Sequence, residues 1–230
     1  MERRIGAGEQ HVVVMLRRTR AARRFSLRVS RIDGRVTLTM PARASEREAL
    51  RFAEDQIGWI RGRLAGLAPP DTVGPGASVP VFGVPRLVVA GTGRQIELAP
   101  DRIVVPGDPA AAGRRVAAFL KVAARDRLAE ACDRHAAALG LGYAGLRLRD
   151  TRSRWGSCSA AGELMFSWRL AMAPPGVLDY VAAHEVAHLA EMNHSPAFWA
   201  VVARLVPGHA AQRAWLRANG ARLQAIRFGG

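Results

Sequence analysis

Apolar and polar residues alternate over three short runs in the first third of the chain, at residues 11–18, 25–32 and 36–40. Strict alternation is typical of β-strands with one buried face, so each run predicts a strand. Between the second and third runs, Asp33-Gly34 is typical of the tight turn of a β-hairpin. A small sheet is therefore expected in this region.

Helical spacing replaces the alternation after the third run. Ser45 with Glu48 is typical of a capping box at the start of a helix. The apolar positions that follow predict that this helix extends to about Leu67. Pro69-Pro70 and then Gly74-Pro75-Gly76 predict a linker or an exposed loop, because neither group of helix-breaking residues fits a continuing helix.

The middle of the chain predicts further strands and then a long helix. Four short apolar runs flank glycine-containing turns, at residues 79–82, 85–89, 95–98 and 103–105. The alanine-rich segment 109–138 has apolar residues at helical spacing, and Leu139-Gly140 is a typical helix stop.

Two more strands and another helix complete the pattern. Residues 146–149 and 163–171 predict strands, and the breaker Pro174-Pro175-Gly176 precedes the next helix. This order of elements predicts an α+β protein, with a β-rich N-terminal half packed on a helical C-terminal half. We expect the β-rich region, which includes one helix, at residues 1–108 and the helical region at 109–230.

Composition indicates the general class of protein. The chain has 230 residues, of which 49% are hydrophobic and 23% charged, which is ordinary for a soluble globular protein. Its two cysteines, Cys132 and Cys158, are too few for a disulfide scaffold, so a reducing compartment fits best. The apolar run 12–16 is too short for a signal peptide core or a membrane span. A cytoplasmic protein without a membrane partner is predicted.

The formal net charge of +15 suggests nucleic-acid binding, because a basic surface attracts phosphate. Apart from Lys121, however, every basic residue is an arginine, and alanine, glycine and valine are also abundant. This bias is typical of a GC-rich coding sequence. Aromatic residues are scarce and do not interleave with the basic clusters, so no stacking platform for single strands is predicted. Nucleic acid is thus a possible partner that the sequence does not favour.

The strongest chemical signal lies in the helix that follows residue 176. His184 and His188 are four residues apart, so on a helix they share a face and can bind one metal ion. Two imidazoles suit zinc. Glu185 lies beside the first histidine, where its carboxylate can reach a zinc-bound water rather than the metal.

His194 is the candidate for the third ligand. On a continuous helix it would lie roughly 9 Å beyond His188 and on another face, so the helix must end before it. Asn193 tolerates a left-handed cap, and Ser195 with Pro196 can begin a new helix. Two alternatives stay open: histidines without a metal, and a structural zinc site closed by a fourth ligand such as Cys158.

These residues resemble the YgjP-like metallopeptidase family, a group of zincins related to the SprT-like peptidases. The matching segments are RWGSCS at 154–159, HEVAHL at 184–189 and NHS at 193–195 followed by Phe198-Trp199. The resemblance implies a zincin-like C-terminal region with an active-site helix. It also implies zinc ligands at His184, His188 and His194, with Glu185 as the general base. One departure is His209, where relatives are expected to have tyrosine.

The expected reaction is hydrolysis of a peptide bond in a peptide or protein substrate. The group that stabilises the oxyanion stays open between Tyr180, His209 and Arg152. Strand 163–168 is expected either to bind substrate along a free edge or to be an ordinary core strand. Two other functions stay open: a protease recruited to nucleic acid, and a non-catalytic zinc-binding module. The sequence predicts no oligomeric state.

Overall fold

The protein is described by a computed structural model over residues 1–6, 11–30, 32–66 and 72–229. Contacts divide the chain into two units, Met1–Pro70 and Asp71–Gly230. The predicted division after residue 108 falls inside the second unit, where strand residues before it and helix residues after it share one hydrophobic core. Within the described ranges, no helix is both long and apolar enough to cross a membrane.

The first unit is a four-stranded sheet whose buried face packs on two helices. The strand order is β1-β2-β4-β3, in which β2 and β4 run parallel and the other two pairings are antiparallel. Its elements are β1 (Glu2–Ile5), β2 (Val12–Thr19), β3 (Ser26–Val29), β4 (Val36–Pro41), α1 (Glu46–Asp55) and α2 (Ile57–Ala65). The three strands that alternation predicted are confirmed as β2, β3 and β4.

The predicted continuous helix of this unit is interrupted at Gln56. The backbone of Gln56 leaves the α-helical region at φ −97° and ψ 10°, and its N–H bonds the carbonyls of Ala53 and Glu54. Ser45 is the N-cap residue of α1, but the predicted capping box is wrong, because the Ser45 side chain makes no cap hydrogen bond. The predicted helix end at Leu67 and the predicted linker at Pro69-Pro70 lie outside the described residues.

The second unit has two sheets and four α-helices within the described residues. One sheet has the order β5-β6-β8-β7, and the other has the order β10-β11-β9. The strands are β5 (Ser78–Val81), β6 (Val84–Gly91), β7 (Glu97–Leu98), β8 (Arg102–Pro106), β9 (Gly145–Arg149), β10 (Gly156–Cys158) and β11 (Glu163–Ser167). The helices are α3 (Ala112–Leu139), α4 (Pro175–Ala187), α5 (Pro196–Leu205) and α6 (His209–Ala225). Mainly antiparallel sheets, with most of the helices in the C-terminal half, confirm the α+β class.

Two long elements of this unit hold the site in place. The helix α3 ends where predicted, because Gly140 adopts a left-handed conformation at φ +67° that favours glycine. The helix α4 is apolar on nearly all sides and packs against α3, α5, α6 and β10. A helix that is apolar on all sides is typical of a protein core, and the neighbouring elements enclose α4 in this way.

The strand predicted at 163–171 ends earlier, at Ser167, because Trp168–Met172 form a 3₁₀ helix. This strand, β11, lies between β10 and β9 and is therefore not an edge of its sheet. The proposal that residues 163–168 bind substrate along a free edge is wrong for this reason. The edge strand next to α4 is β10, with which α4 is in contact.

Candidate metal centre

The helix α4 carries the first two histidines of the predicted site. It ends at Ala187, so His188 is its C-cap residue. The rings of His184 and His188 lie 5.2 Å apart between centroids, on the same side of the helix. The four-residue spacing therefore brings them together as predicted.

The helix also ends early enough for His194 to return to the same place. Tight turns follow Ala187: Leu189 N–H bonds Val186 carbonyl, and Glu191 N–H bonds Ala187 carbonyl. The new helix α5 begins as predicted, with Pro196 in its first turn and the Ser195 side chain accepting a hydrogen bond from Phe198 N–H. Asn193 does not adopt the predicted left-handed conformation, since the helix ends six residues before it by tight turns instead.

The side chains of His184, His188 and His194 converge. Each offers a ring nitrogen, and these three atoms lie within 4.8 Å of one another. The Nε2 atoms of His184 and His194 are 3.1 Å apart. The Nδ1 of His188 lies 3.0 Å from the carbonyl of Glu191, and because a carbonyl can only accept, Nδ1 is the donor and Nε2 is left to bind a ligand.

This arrangement fits a zinc ion. Two nitrogens bound to zinc at tetrahedral angles would lie about 3.3 Å apart, close to the separation of the two Nε2 atoms. Burial, together with the neighbouring imidazoles, lowers the pKa of His184 to about 4. Burial also lowers the pKa of His188. Both rings are therefore neutral at neutral pH, as a metal ligand must be.

Cys158 does not belong to the cluster. Among the described residues, the ligand group that could hold a metal comprises only the three histidines. The Cys158 thiol donates to the carbonyl of Ser159 at 3.4 Å, and burial raises its pKa. A structural site closed by this thiol is therefore not supported, whereas catalytic zinc sites characteristically use three protein ligands.

Glu185 is held against the edge strand β10. Its side chain is 5% exposed, and burial raises its pKa to about 8, an effect that the charge of Arg154 opposes. A Cβ atom added to Gly156 would lie 2.5 Å from Glu185 Oε1 and 2.6 Å from its Cγ. Glycine is therefore the residue that lets the Glu185 side chain occupy this position.

The three histidines and Glu185 line a cavity of about 370 Å³. Its wall includes three residues to which sequence reasoning gave no part in the site: Arg154, Ser157 and Met192. Arg154 and Ser157 lie within the RWGSCS segment, so the motif identified the segment but not the side chains that face the cavity. Met192 carried no signal at all.

Of the residues considered for the oxyanion, Tyr180 and His209 lie together near the histidines, whereas Arg152 lies in an exposed loop. Tyr180 is buried one turn before His184, and the centroids of these two rings are 6.0 Å apart. His209 begins α6 and stacks on Tyr180 at 6.3 Å and on Trp199 at 5.8 Å. Arg152 is exposed in the loop between β9 and β10. Tyr180 is thus in the layer of rings that surrounds the histidines.

Comparison with known proteins identifies the family of the chain. The family model described as YgjP-like, metallopeptidase domain, matches residues 23–219, which is most of the chain. Among solved structures, the metallopeptidase zymogen abylysin of Pyrococcus abyssi is 22% identical, with a TM-score of 0.37, and the match covers 44% of this chain and 98% of that one. A search of curated proteins found no match.

Proposed function

Because the chain belongs to the YgjP-like metallopeptidase family, we propose that it hydrolyses peptide bonds with a zinc ion held by His184, His188 and His194. Glu185 is the general base in this proposal. The observation that carries it is the convergence of three ring nitrogens within 4.8 Å, directly beside a buried glutamate. A zinc-binding module without catalysis would have no use for a carboxylate that is buried at such a cost.

The side chains divide the work as follows. The neutral imidazoles hold the ion, and the Glu191 carbonyl fixes the ring of His188 by accepting from its Nδ1. When bound, zinc supplies a Lewis acid that polarises the scissile carbonyl and acidifies water. Beside the positive charge of the bound ion, Glu185 would be ionised despite its burial. Its carboxylate can then accept the proton of the attacking water and return it to the leaving amine nitrogen. Its contact with Gly156 holds the carboxylate in place for both transfers.

The edge strand β10 offers a place for the substrate backbone. Its pairing with β11 includes bonds on either side: Ser167 N–H to Trp155 carbonyl, and Ser159 N–H to Glu163 carbonyl. Because bonded and non-bonded pairs alternate in antiparallel sheets, the backbone groups of Gly156 and Cys158 point away from β11. A substrate strand added there would lie beside Glu185 and be read mainly through its main chain.

Metal removal tests the proposal. Dialysis against a chelator is expected to abolish cleavage of a denatured-protein or peptide-library substrate. One equivalent of zinc per chain is expected to restore cleavage, whereas magnesium and calcium are not, because these ions prefer oxygen ligands. Metal content is measured by mass spectrometry on the same samples. A metal-free protein that cleaves at the original rate would contradict the proposal.

Gly156→Ala tests the placement of Glu185. The added methyl group overlaps the Glu185 side chain and must displace it, and a displacement of about 1 Å costs about 100-fold in rate. We expect kcat to fall by this order while zinc content is unchanged, since the three histidines are not touched. Gly142→Ala is the matched control, because a Cβ there meets nothing within 4 Å. Equal kcat values for the two variants would mean that the contact has no role in the reaction.

A further inference from the structure

The positive charge of the first unit is confined to its sheet segment. Residues 1–43 contain eleven arginines and three carboxylates, whereas residues 44–66, which form the helical layer, contain four arginines and four carboxylates. A coding bias toward arginine acts on both segments alike. It explains neither the shortage of carboxylates beside the sheet nor their balance along the helices.

The outer face of the sheet presents this charge to solvent. Val12 and Val14 of β2 are buried against the helices, so the alternate residues Val13, Met15 and Arg17 face outward. The register places Arg4 opposite Val13, Arg17 opposite Thr39 and Arg28 opposite Thr37. Directly opposed residues share a face, so the three arginines lie on the same outer surface.

These three arginines are available to a partner. All three are exposed. Within the described ranges, no carboxylate forms an ion pair with any of them, in contrast to Arg3, which pairs with Glu46, and Arg35, which lies near Asp33. Among the described strand residues, Glu2 is the one carboxylate that the register places on the same face. Arg20, Arg23 and Arg24 in the β2–β3 connection are exposed as well.

We propose that this face, carried by Arg4, Arg17 and Arg28, binds the phosphate backbone of duplex DNA. The strands β2 and β3 are separated by β4, and the register offsets Arg17 from Arg28 by two residues along it, so their Cα atoms lie roughly 12 Å apart. This spacing is comparable to the major groove, about 12 Å wide. The intervening Thr37 and Thr39 are small and can donate hydrogen bonds to phosphate oxygens.

The same face fits other anionic partners poorly. Single strands are bound by aromatic side chains on which bases stack, and the strands β1–β4 contain no aromatic residue. Membrane surfaces are bound by inserted bulky apolar groups, whereas the apolar strand residues described on this face are Val13, Met15 and Pro41. Backbone contacts alone give affinity without sequence preference.

The test is the salt dependence of binding by the full-length chain. A fluorescent DNA duplex of random sequence is titrated with protein at several salt concentrations, and binding is followed by anisotropy. For the variant with Arg4→Gln, Arg17→Gln and Arg28→Gln, log K is expected to fall less steeply with log salt. The magnitude of this negative slope is expected to decrease by about 3, one for each lost phosphate contact. The matched control is Arg47→Gln, Arg51→Gln and Arg63→Gln in the helical layer, which removes the same charge and is expected to leave the slope unchanged.

A second variant separates charge from folding. The variant with Arg4→Lys, Arg17→Lys and Arg28→Lys keeps the charge, so duplex binding and its salt slope are expected to persist. Equal slopes for the sheet and helix variants would overturn the proposal, because binding would then follow net charge alone. Equal or tighter binding of heparin, duplex RNA or anionic phospholipid vesicles would overturn it as well, since the face would not be fitted to duplex DNA.

Discussion

Glu185→Gln is expected to lower kcat for peptide hydrolysis about 1000-fold while leaving zinc bound. Loss of a general base typically lowers the rate about 10²- to 10⁴-fold, and the expected effect lies near the middle of this range. Glutamine has nearly the shape of glutamate, so it fills the same buried space against Gly156 without displacing the strand. The three histidines proposed to hold the metal keep their positions. Rate and zinc content are measured on the same preparation.

The control for this substitution is Glu97→Gln, which makes the same chemical change on the exposed strand β7. It is expected to leave both rate and zinc content unchanged. If Glu185→Gln keeps zinc and cleaves as fast as the unaltered chain, Glu185 is not the base. If neither chain cleaves any substrate although both bind zinc, the non-catalytic zinc-binding module becomes the better account.

The convergence of the three histidines could be predicted from the sequence because it depends on local geometry. His184 and His188 are joined by one turn of helix, and Ser195 with Pro196 begins a new helix by rules that act within a few residues. Even the wrong detail, a left-handed Asn193, did not affect the result. Any break between residues 188 and 194 lets His194 turn back.

The surroundings of Glu185 could not be predicted in the same way. Gly156 and Arg154 are about thirty residues away in sequence, and they reach Glu185 only because β10 pairs with β11 beside α4. That position follows from the order of strands in the sheet, which alternation does not specify. Because the sequence does not specify strand order, β11 was also a candidate edge strand, although it lies in the middle of its sheet.

The distribution of charge over the surface could not be predicted from the sequence either. Counting arginines in the sequence gives a net charge but not the faces that carry it, and a coding bias explains the count. Only the register of β1 to β4 shows that Arg4, Arg17 and Arg28 share one surface. The inference about DNA therefore depends on pairing, which is a property of the fold and not of composition.

His194→Ala is expected to weaken zinc binding by more than about 100-fold. Loss of a group that merely orients a ligand costs 10- to 100-fold, and a direct ligand should cost more. His194 is exposed and lies between two helices, so its truncation should not weaken the metal-free fold. The melting temperatures of the metal-free variant and the metal-free parent chain are therefore expected to coincide. Added zinc should raise only that of the parent, because a ligand stabilises the state that binds it.

His11→Ala is the matched control for this experiment, since His11 is an exposed histidine in the first unit. It is expected to keep both the zinc affinity and the zinc-induced rise in melting temperature. If His194→Ala also keeps them, then His184 and His188 hold the metal with some other group, and the break before α5 has a purely structural role. If it loses them while the metal-free melting temperatures agree, His194 is a ligand, because no change in the fold can account for the loss.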